Sequence, residues 1–131
     1  MKRYSLSEAE ALIPEMQRIA DAAADVRVKA EAKARAIEAL EQAGRDQAQI
    51  AIERSQLEFL SRSLEDLLGS IEKRGAVLKG LEPFLVDFPF TLEGKVVYLC
   101  WKAGEKNIRH YHATDEGFAN RKSIPANLLP H

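Results

Sequence analysis

Apolar residues recur in a 4-3 repeat through the first eighty residues, and this pattern predicts two long helices. The first repeat runs from Leu12 to Leu40, and the second runs from Ile50 to Leu78 in steps of seven. A seven-residue period over this length is typical of a coiled coil. Gly44, between the repeats, is a helix-stop signal. We therefore predict an antiparallel helical hairpin, with each helix about 45 to 55 Å long.

Two local signals lie at the start of the first helix. Ser7 and Glu10 have the spacing of a capping box, in which the hydroxyl accepts from the Glu10 amide and the carboxylate reaches back. Pro14 lacks a backbone donor and crowds the preceding turn, so the helix should kink or break beside it.

After Gly80 the pattern changes from helical to extended. Lys95–Lys102 is the strongest strand signal, because it is rich in β-branched and aromatic residues. A turn at Gly104 leads to a second strand over Asn107–His112, and the two should form a hairpin. Phe84–Phe90 is a candidate third strand.

The predicted fold class is α+β. A long antiparallel helical hairpin, residues 1–80, should be followed by a small antiparallel β module, residues 81–131, that packs on the hairpin as one structural domain. Seven of the nine aromatic residues, all three histidines and the only cysteine follow Gly80. A functional site is therefore expected in the β module.

The charge pattern argues against two classes of partner. The chain has 19 basic and 20 acidic residues, a net charge of -1 and no polybasic run. Nucleic-acid binding and membrane-surface binding both require clustered positive charge, so neither is expected. No segment approaches the ~18 apolar residues of a membrane span. A single cysteine cannot form an intramolecular disulfide, which fits a cytoplasmic protein.

The candidate site is a cleft in the β module. Six side chains are expected to line it: Asp87, Trp101, Glu105, His112, Asp115 and Arg121. The hairpin should bring Trp101 and Glu105 beside the strand that carries His112. The short loop after that strand should return Asp115 and Arg121 to the same end. Such a cleft would bind a small ligand or a protein of unknown identity.

A metal site is one interpretation of the histidines. His110 and His112 point the same way from one strand, and Asp115 follows closely, so the three could bind one ion. Zn²⁺ or another divalent ion would need further ligands from acidic side chains or Cys100. The simpler interpretation is two surface histidines, a core cysteine with a raised pKa, and no cofactor.

Asp87 also has two interpretations. It lies among apolar residues, so it is either a buried carboxylate paired with Arg121 or Arg109, or a loop residue that caps backbone amides before Pro89. The spacing alone favours the capping role.

The preferred function is non-catalytic: a dimeric interaction protein or small-ligand-binding protein that uses the C-terminal module. The alternative is a metal-dependent or acid/base hydrolase centred on His112, with Asp115 orienting the imidazole. The chain contains no nucleophile-elbow motif and no Walker-type phosphate loop. Catalysis is therefore the less favoured of the two.

Several segments resemble DUF2203, a family of bacterial proteins of unknown function. They are Tyr4–Pro14, Leu85–Pro89, Val97–Lys102, Gly104–Glu105 and positions between Tyr111 and Arg121. The resemblance covers nearly the whole chain. It implies a helical hairpin joined to a small β module, and it implies no particular activity.

Three apolar residues of the second helix fall outside the predicted seam between the helices: Ile52, Phe59 and Leu68. They would face water in a lone hairpin, so we expect a homodimer that forms a four-helix bundle. The alternative is that they pack on the C-terminal module.

The dimer predicts a specific effect of one substitution. Phe59→Glu should convert the dimer to a monomer, because burial of an unpaired carboxylate costs several kcal/mol. Ser61→Glu, on the other side of the same helix, is the control and should leave the dimer intact. Sedimentation equilibrium at micromolar concentration measures both, and a monomeric unsubstituted protein would contradict the prediction.

Overall fold

The computed structural model describes residues 2–44 and 46–129. Within these residues, the α-helices are α1 (Leu6–Ala11), α2 (Ile13–Ala43) and α3 (Gln47–Lys73). The strands are β1 (Val77–Leu81), β2 (Phe84–Leu92), β3 (Lys95–Lys102), β4 (His110–Ala113) and β5 (Lys122–Ser123). The predicted α+β class, with a helical hairpin followed by a small antiparallel sheet, is confirmed.

The capping box at the start of α1 involves a different pair from the one predicted. Ser5 Oγ accepts from the Glu8 amide at 3.0 Å, and Glu8 Oε1 accepts from the Ser5 amide at 2.8 Å. The prediction of Ser7 and Glu10 was wrong, although their spacing is the same. The Glu10 carboxylate instead accepts from the Ile108 amide at 2.9 Å.

The predicted helix interruptions are confirmed. α1 ends at Ala11 and α2 begins at Ile13, so the helix breaks beside Pro14. α2 ends before Gly44, whose φ of 69° lies in the left-handed region that favours glycine. None of the helices in the described residues combines the length and apolar character that a membrane crossing requires.

The chain divides into two compact units. The first contains Met1–Ala20 and Ser70–His131, so it is built from both ends of the chain. The second contains Asp21–Gly69. This division differs from the predicted boundary at Gly80, because α1 packs with the sheet and the Tyr4 amide donates to the Pro89 carbonyl at 2.8 Å.

The second unit is the part of the hairpin in which α2 and α3 pack together. Lys33 of α2 and Glu53 of α3 form an ion pair at 2.8 Å. Phe59 is 64% exposed and Ile52 is 50% exposed, whereas Leu68 is half-buried. Exposure of the first two is what the dimer hypothesis requires, and the homodimer stays a prediction.

In the first unit, the five strands form one antiparallel sheet in the order β1-β2-β3-β4-β5. The predicted strands at Lys95–Lys102 and Phe84–Phe90 are confirmed, the second extending to Leu92. β4 begins at His110 rather than at Asn107, because the amide of Ile108 is bound by Glu10 instead of a neighbouring strand. The prediction that the second helix continues to Leu78 was wrong, because α3 ends at Lys73 and Leu78 lies in β1. β5 was not predicted, since it has only two residues.

The strand register gives the sheet two different faces. Val86 lies opposite Trp101 and Phe88 lies opposite Leu99, and all four side chains are fully buried. The ring of Tyr4, which precedes α1, contacts Phe88 edge-on at 5.2 Å between centroids. This apolar face forms the core of the first unit, and the other face carries the polar residues considered below.

The burial of this face predicts that truncation of two leucines will have different effects on stability. Leu99→Ala should lower the free energy of unfolding by about 2 to 5 kcal/mol, because Leu99 is fully buried. Leu128→Ala is the matched control. Leu128 is 40% exposed, and its truncation should change stability by about 0.5 kcal/mol or less. Urea unfolding measures both, and equal shifts in the two midpoints would contradict this description of the core.

Candidate metal centre

Three neighbouring strands each place one metal-binding side chain on the same face of the sheet. Asp87 on β2 lies directly opposite Cys100 on β3. Cys100 lies directly opposite His110 on β4, and His112 follows two residues later on the same face. The donor atoms of Asp87, Cys100 and His112 all lie within 4.8 Å of one another. Each of these residues is only 1% exposed.

The hydrogen bond of His112 fixes which nitrogen carries a proton. Nδ1 lies 2.8 Å from the carbonyl oxygen of Ala113. A carbonyl can only accept, so Nδ1 is protonated and donates. Nε2 then points towards Asp87, whose Oδ2 is 2.9 Å away. Histidines that bind metals commonly use this arrangement, in which one nitrogen donates to the backbone and the other faces the ion.

The Asp87 carboxylate is short of donors. His112 Nε2 lies 2.9 Å from Oδ2 and the Cys100 thiol is also close, but neither aligns well with an oxygen of this carboxylate, which receives no other hydrogen bond from the described residues. Burial raises the pKa of Asp87, and the neighbouring His112 opposes this rise without cancelling it. A buried acceptor without donors costs about 1 to 3 kcal/mol, and more when it is charged. This carboxylate therefore needs a cation or a proton.

The Cys100 thiol is protonated at neutral pH in the metal-free chain. Burial raises its pKa to about 11, with the negative charge of Asp87 adding to the effect and Arg121 opposing it. His112 cannot serve as its base, because both imidazole nitrogens face oxygen atoms. This geometry therefore lacks the cysteine–histidine hydrogen bond that activates a thiol nucleophile. A metal ion, by contrast, displaces the thiol proton directly.

A pocket of about 160 Å³ opens onto the three donors. Its other lining residues come from β1, from β2 and from the segment after β4: Lys79, Leu85, Glu116, Gly117 and Phe118. Glu116 is held in place because its Oε1 accepts from the Ala113 amide at 3.0 Å and from Lys122 Nζ at 3.4 Å. The first of these hydrogen bonds keeps the pKa of Glu116 below its ordinary value.

An ion pair lies next to this pocket. Arg121 donates to both carboxylate oxygens of Glu105, at 3.2 and 2.9 Å, and its guanidinium lies 4.3 Å from the centre of the Phe118 ring. Burial alone would raise the pKa of Glu105. The hydrogen bonds from Arg121 and from the Lys102 amide outweigh it, and the pKa is lowered. The pair fixes the Phe118 side of the pocket.

The structure brings together only part of the predicted cleft. Asp87 and His112 are in contact, and Glu105 and Arg121 pair beside Cys100. Asp87 lies within a strand and pairs with His112, not with Arg121 or Arg109. The capping role that its sequence position suggested is therefore wrong.

The remaining predicted residues lie elsewhere. Trp101 is fully buried on the opposite face of the sheet, where its indole donates to the Glu105 carbonyl at 2.9 Å. Asp115 is exposed in the turn after β4, and His110 is half-buried outside the donor cluster. The predicted ligand set of His110, His112 and Asp115 thus retains only His112. Cys100 takes part instead, and the sequence favoured it as a plain core residue.

A larger groove of about 560 Å³ in the same unit has a different character. It is lined by Tyr4, Leu12, Arg74 and neighbouring residues. The Tyr4 hydroxyl donates to the Arg74 carbonyl, and the Arg74 guanidinium binds Glu15. The Tyr4 hydroxyl and the Arg74 guanidinium are thus already paired, so the smaller pocket is the better functional candidate.

Comparison with known proteins gives a family and no activity. A family model described as an uncharacterised conserved protein, DUF2203, matches residues 2–124 of the 131-residue chain. The chain therefore belongs to this family. No curated protein and no solved structure matches it.

The raised pKa of Cys100 predicts slow alkylation. With a pKa of about 11, the thiolate fraction at pH 8 is on the order of 0.1%, and burial restricts access further. Iodoacetamide should therefore modify the native, metal-free chain at least a hundredfold more slowly than the urea-unfolded chain at pH 8. Mass spectrometry follows the reaction, and native and unfolded rates within tenfold of each other would contradict this environment for the thiol.

Proposed function

We propose that this protein binds a divalent transition metal ion, with Zn²⁺ the best match, through Asp87, Cys100 and His112. The observation that carries the proposal is the buried donor cluster, in which all three donor atoms lie within 4.8 Å. Donors around one tetrahedral Zn²⁺ are roughly 3.3 to 3.7 Å apart, since each lies about 2.0 to 2.3 Å from the ion. Small side-chain rotations bring the cluster into that range.

Two features favour a metal ion over a purely structural cluster. The Asp87 carboxylate is buried with no well-aligned donor, which a bound cation would compensate. The His112 ring already donates through Nδ1, which leaves Nε2 on the side of Asp87.

The donor set selects the class of ion. A thiolate, an imidazole and a carboxylate together suit Zn²⁺ and related transition metals, whereas Mg²⁺ and Ca²⁺ prefer oxygen ligands alone. Three protein ligands leave one coordination position of a tetrahedral ion open. Zinc sites of this type hold an exchangeable water or substrate there. The pocket beside the donors has room for such a ligand.

The function that the geometry supports best is therefore metal-dependent binding of a small ligand. Hydrolysis is less well supported. Glu116, the other carboxylate that lines the pocket, has a lowered pKa and is held by Ala113 and Lys122, so it is a poor general base. We also propose that the chain acts as a homodimer through the exposed residues of α3, as the sequence analysis predicted.

The test is metal binding by purified, tag-free protein. One equivalent of Zn²⁺ or Co²⁺ should bind, and Co²⁺ should give the thiolate-to-cobalt charge-transfer band expected for a cysteine ligand. Cys100→Ser should abolish that band. Asp87→Asn and His112→Gln should each weaken metal binding by about a hundredfold, since even outer-sphere changes cost 10 to 100-fold.

His110→Gln is the matched control, because His110 lies on the same strand and face as His112 but outside the donor cluster. Its metal affinity should be unchanged. Zn²⁺ at 100 times its dissociation constant should also raise the free energy of unfolding by about 2.7 kcal/mol. Absence of stoichiometric metal, or equal losses in His110→Gln and His112→Gln, would overturn the proposal.

A further inference from the structure

Lys79 adds a positive charge to the pocket beside the donor cluster. It lies in β1 at a β-bulge, because Leu78 pairs with Val86 while Gly80 pairs with the next residue, Leu85. Lys79 is thus the extra residue of the bulge, and a bulge changes the direction in which the side chain of that residue points. Its side chain lines the pocket beside the donor cluster, and its Nζ lies 4.9 Å from the centre of the Tyr98 ring.

The charges around the pocket do not cancel once a divalent ion is present. The ion would neutralise the Asp87 carboxylate and the Cys100 thiolate. Glu116 is paired with Lys122 at 3.4 Å. Lys79 is solvent-exposed, and among the described residues no carboxylate lies within ion-pair distance of it, although its charge acts on the nearby Asp87 carboxylate. Because a divalent ion would take over the compensation of Asp87, the lining of the metal-loaded pocket would carry the positive charge of Lys79.

The size and the walls of the pocket limit the ligand further. A volume of about 160 Å³ is similar to that of cavities that hold one benzene-sized molecule, so about half a dozen non-hydrogen atoms fit. Leu85 and Phe118 are the large apolar residues of its lining. A pocket of this kind suits a molecule with one charged end and a short apolar end.

We propose that the ligand of this site is a short-chain monocarboxylate, whose charge is balanced by the metal ion and by Lys79. This inference rests on the proposed metal site. The carboxylate would occupy the open coordination position, and the short alkyl end would contact Leu85 and Phe118. A neutral molecule of the same shape would gain no ionic attraction from Lys79 and should bind poorly.

The experiment uses the full chain loaded with Co²⁺ and the probe sodium propionate, with propionamide as the uncharged analogue. Propionate should change the visible spectrum of the bound Co²⁺ saturably, and propionamide should not. Lys79→Met keeps most of the side-chain length without the charge. It should weaken propionate binding about fivefold at low salt and leave metal stoichiometry unchanged. Lys95→Met, at an exposed position outside the pocket, is the control and should have no effect.

The outcomes separate this inference from the metal proposal. A protein that fails to bind Co²⁺ refutes both. A protein that binds Co²⁺ with full stoichiometry but shows no response to propionate refutes the ligand alone. Equal binding of propionamide, equal binding of propionate by the metal-free chain, or an unchanged affinity in Lys79→Met would each overturn the monocarboxylate as described.

Discussion

The two-residue turn between β2 and β3 sets the register on which the candidate metal centre depends. Glu93 and Gly94 have φ values of 50° and 81°, and they join Leu92 to its partner Lys95. Positive φ at both central positions is the geometry of a type I′ turn, whose twist matches that of the strands it joins. From this turn, strict pairing continues along both strands and brings Asp87 opposite Cys100. A shift of β3 by one residue would exchange Cys100 with Trp101, so the thiol would enter the core and the indole would face the pocket.

The two faces of the sheet contribute differently to stability. On one face, Val86, Phe88 and Leu99 bury apolar surface and stabilise the unit. On the other, an equally buried carboxylate and imidazole bring desolvation costs that apolar residues of similar size would avoid. Such an arrangement is typical of sites where stability is given up for function. The proposed metal ion would offset part of this cost and couple occupancy of the site to folding.

Much of the fold could be predicted from the sequence, because helices, turns and strands give local sequence signals. The heptad spacing, Gly44 and Pro14 indicated the helices and their breaks, and the β-branched run at Lys95–Lys102 indicated the central strand. The capping box was misplaced because two serine–glutamate pairs have the same spacing, and only the contact of Glu10 with Ile108 decides between them.

The candidate site was predicted only in part, because its geometry is not local. The alternation of side chains along each predicted strand indicated which neighbours share a face with Asp87, Cys100 or His112. It did not indicate that these three residues lie on the same face of the sheet. That coincidence depends on strand pairing between residues 13 and 14 positions apart, Asp87 with Cys100 and Tyr98 with His112. The spacing of His110 and His112 was a visible local signal, yet it pointed to the wrong partner. Lys79 could not be anticipated, since its position depends on a bulge in a strand that the sequence did not reveal.

The division of the chain has a consequence for the order of folding. The first unit joins Met1–Ala20 to Ser70–His131, and the forty-nine residues between them belong to the second unit. During synthesis, the N-terminal segment must therefore wait until the strands between residues 77 and 123 have left the ribosome before it can cover the sheet. The intervening helices form from local contacts, and in doing so they shorten the effective loop that separates the two halves of the first unit. The hairpin thus lowers the entropic cost of assembling a module whose parts are remote along the chain.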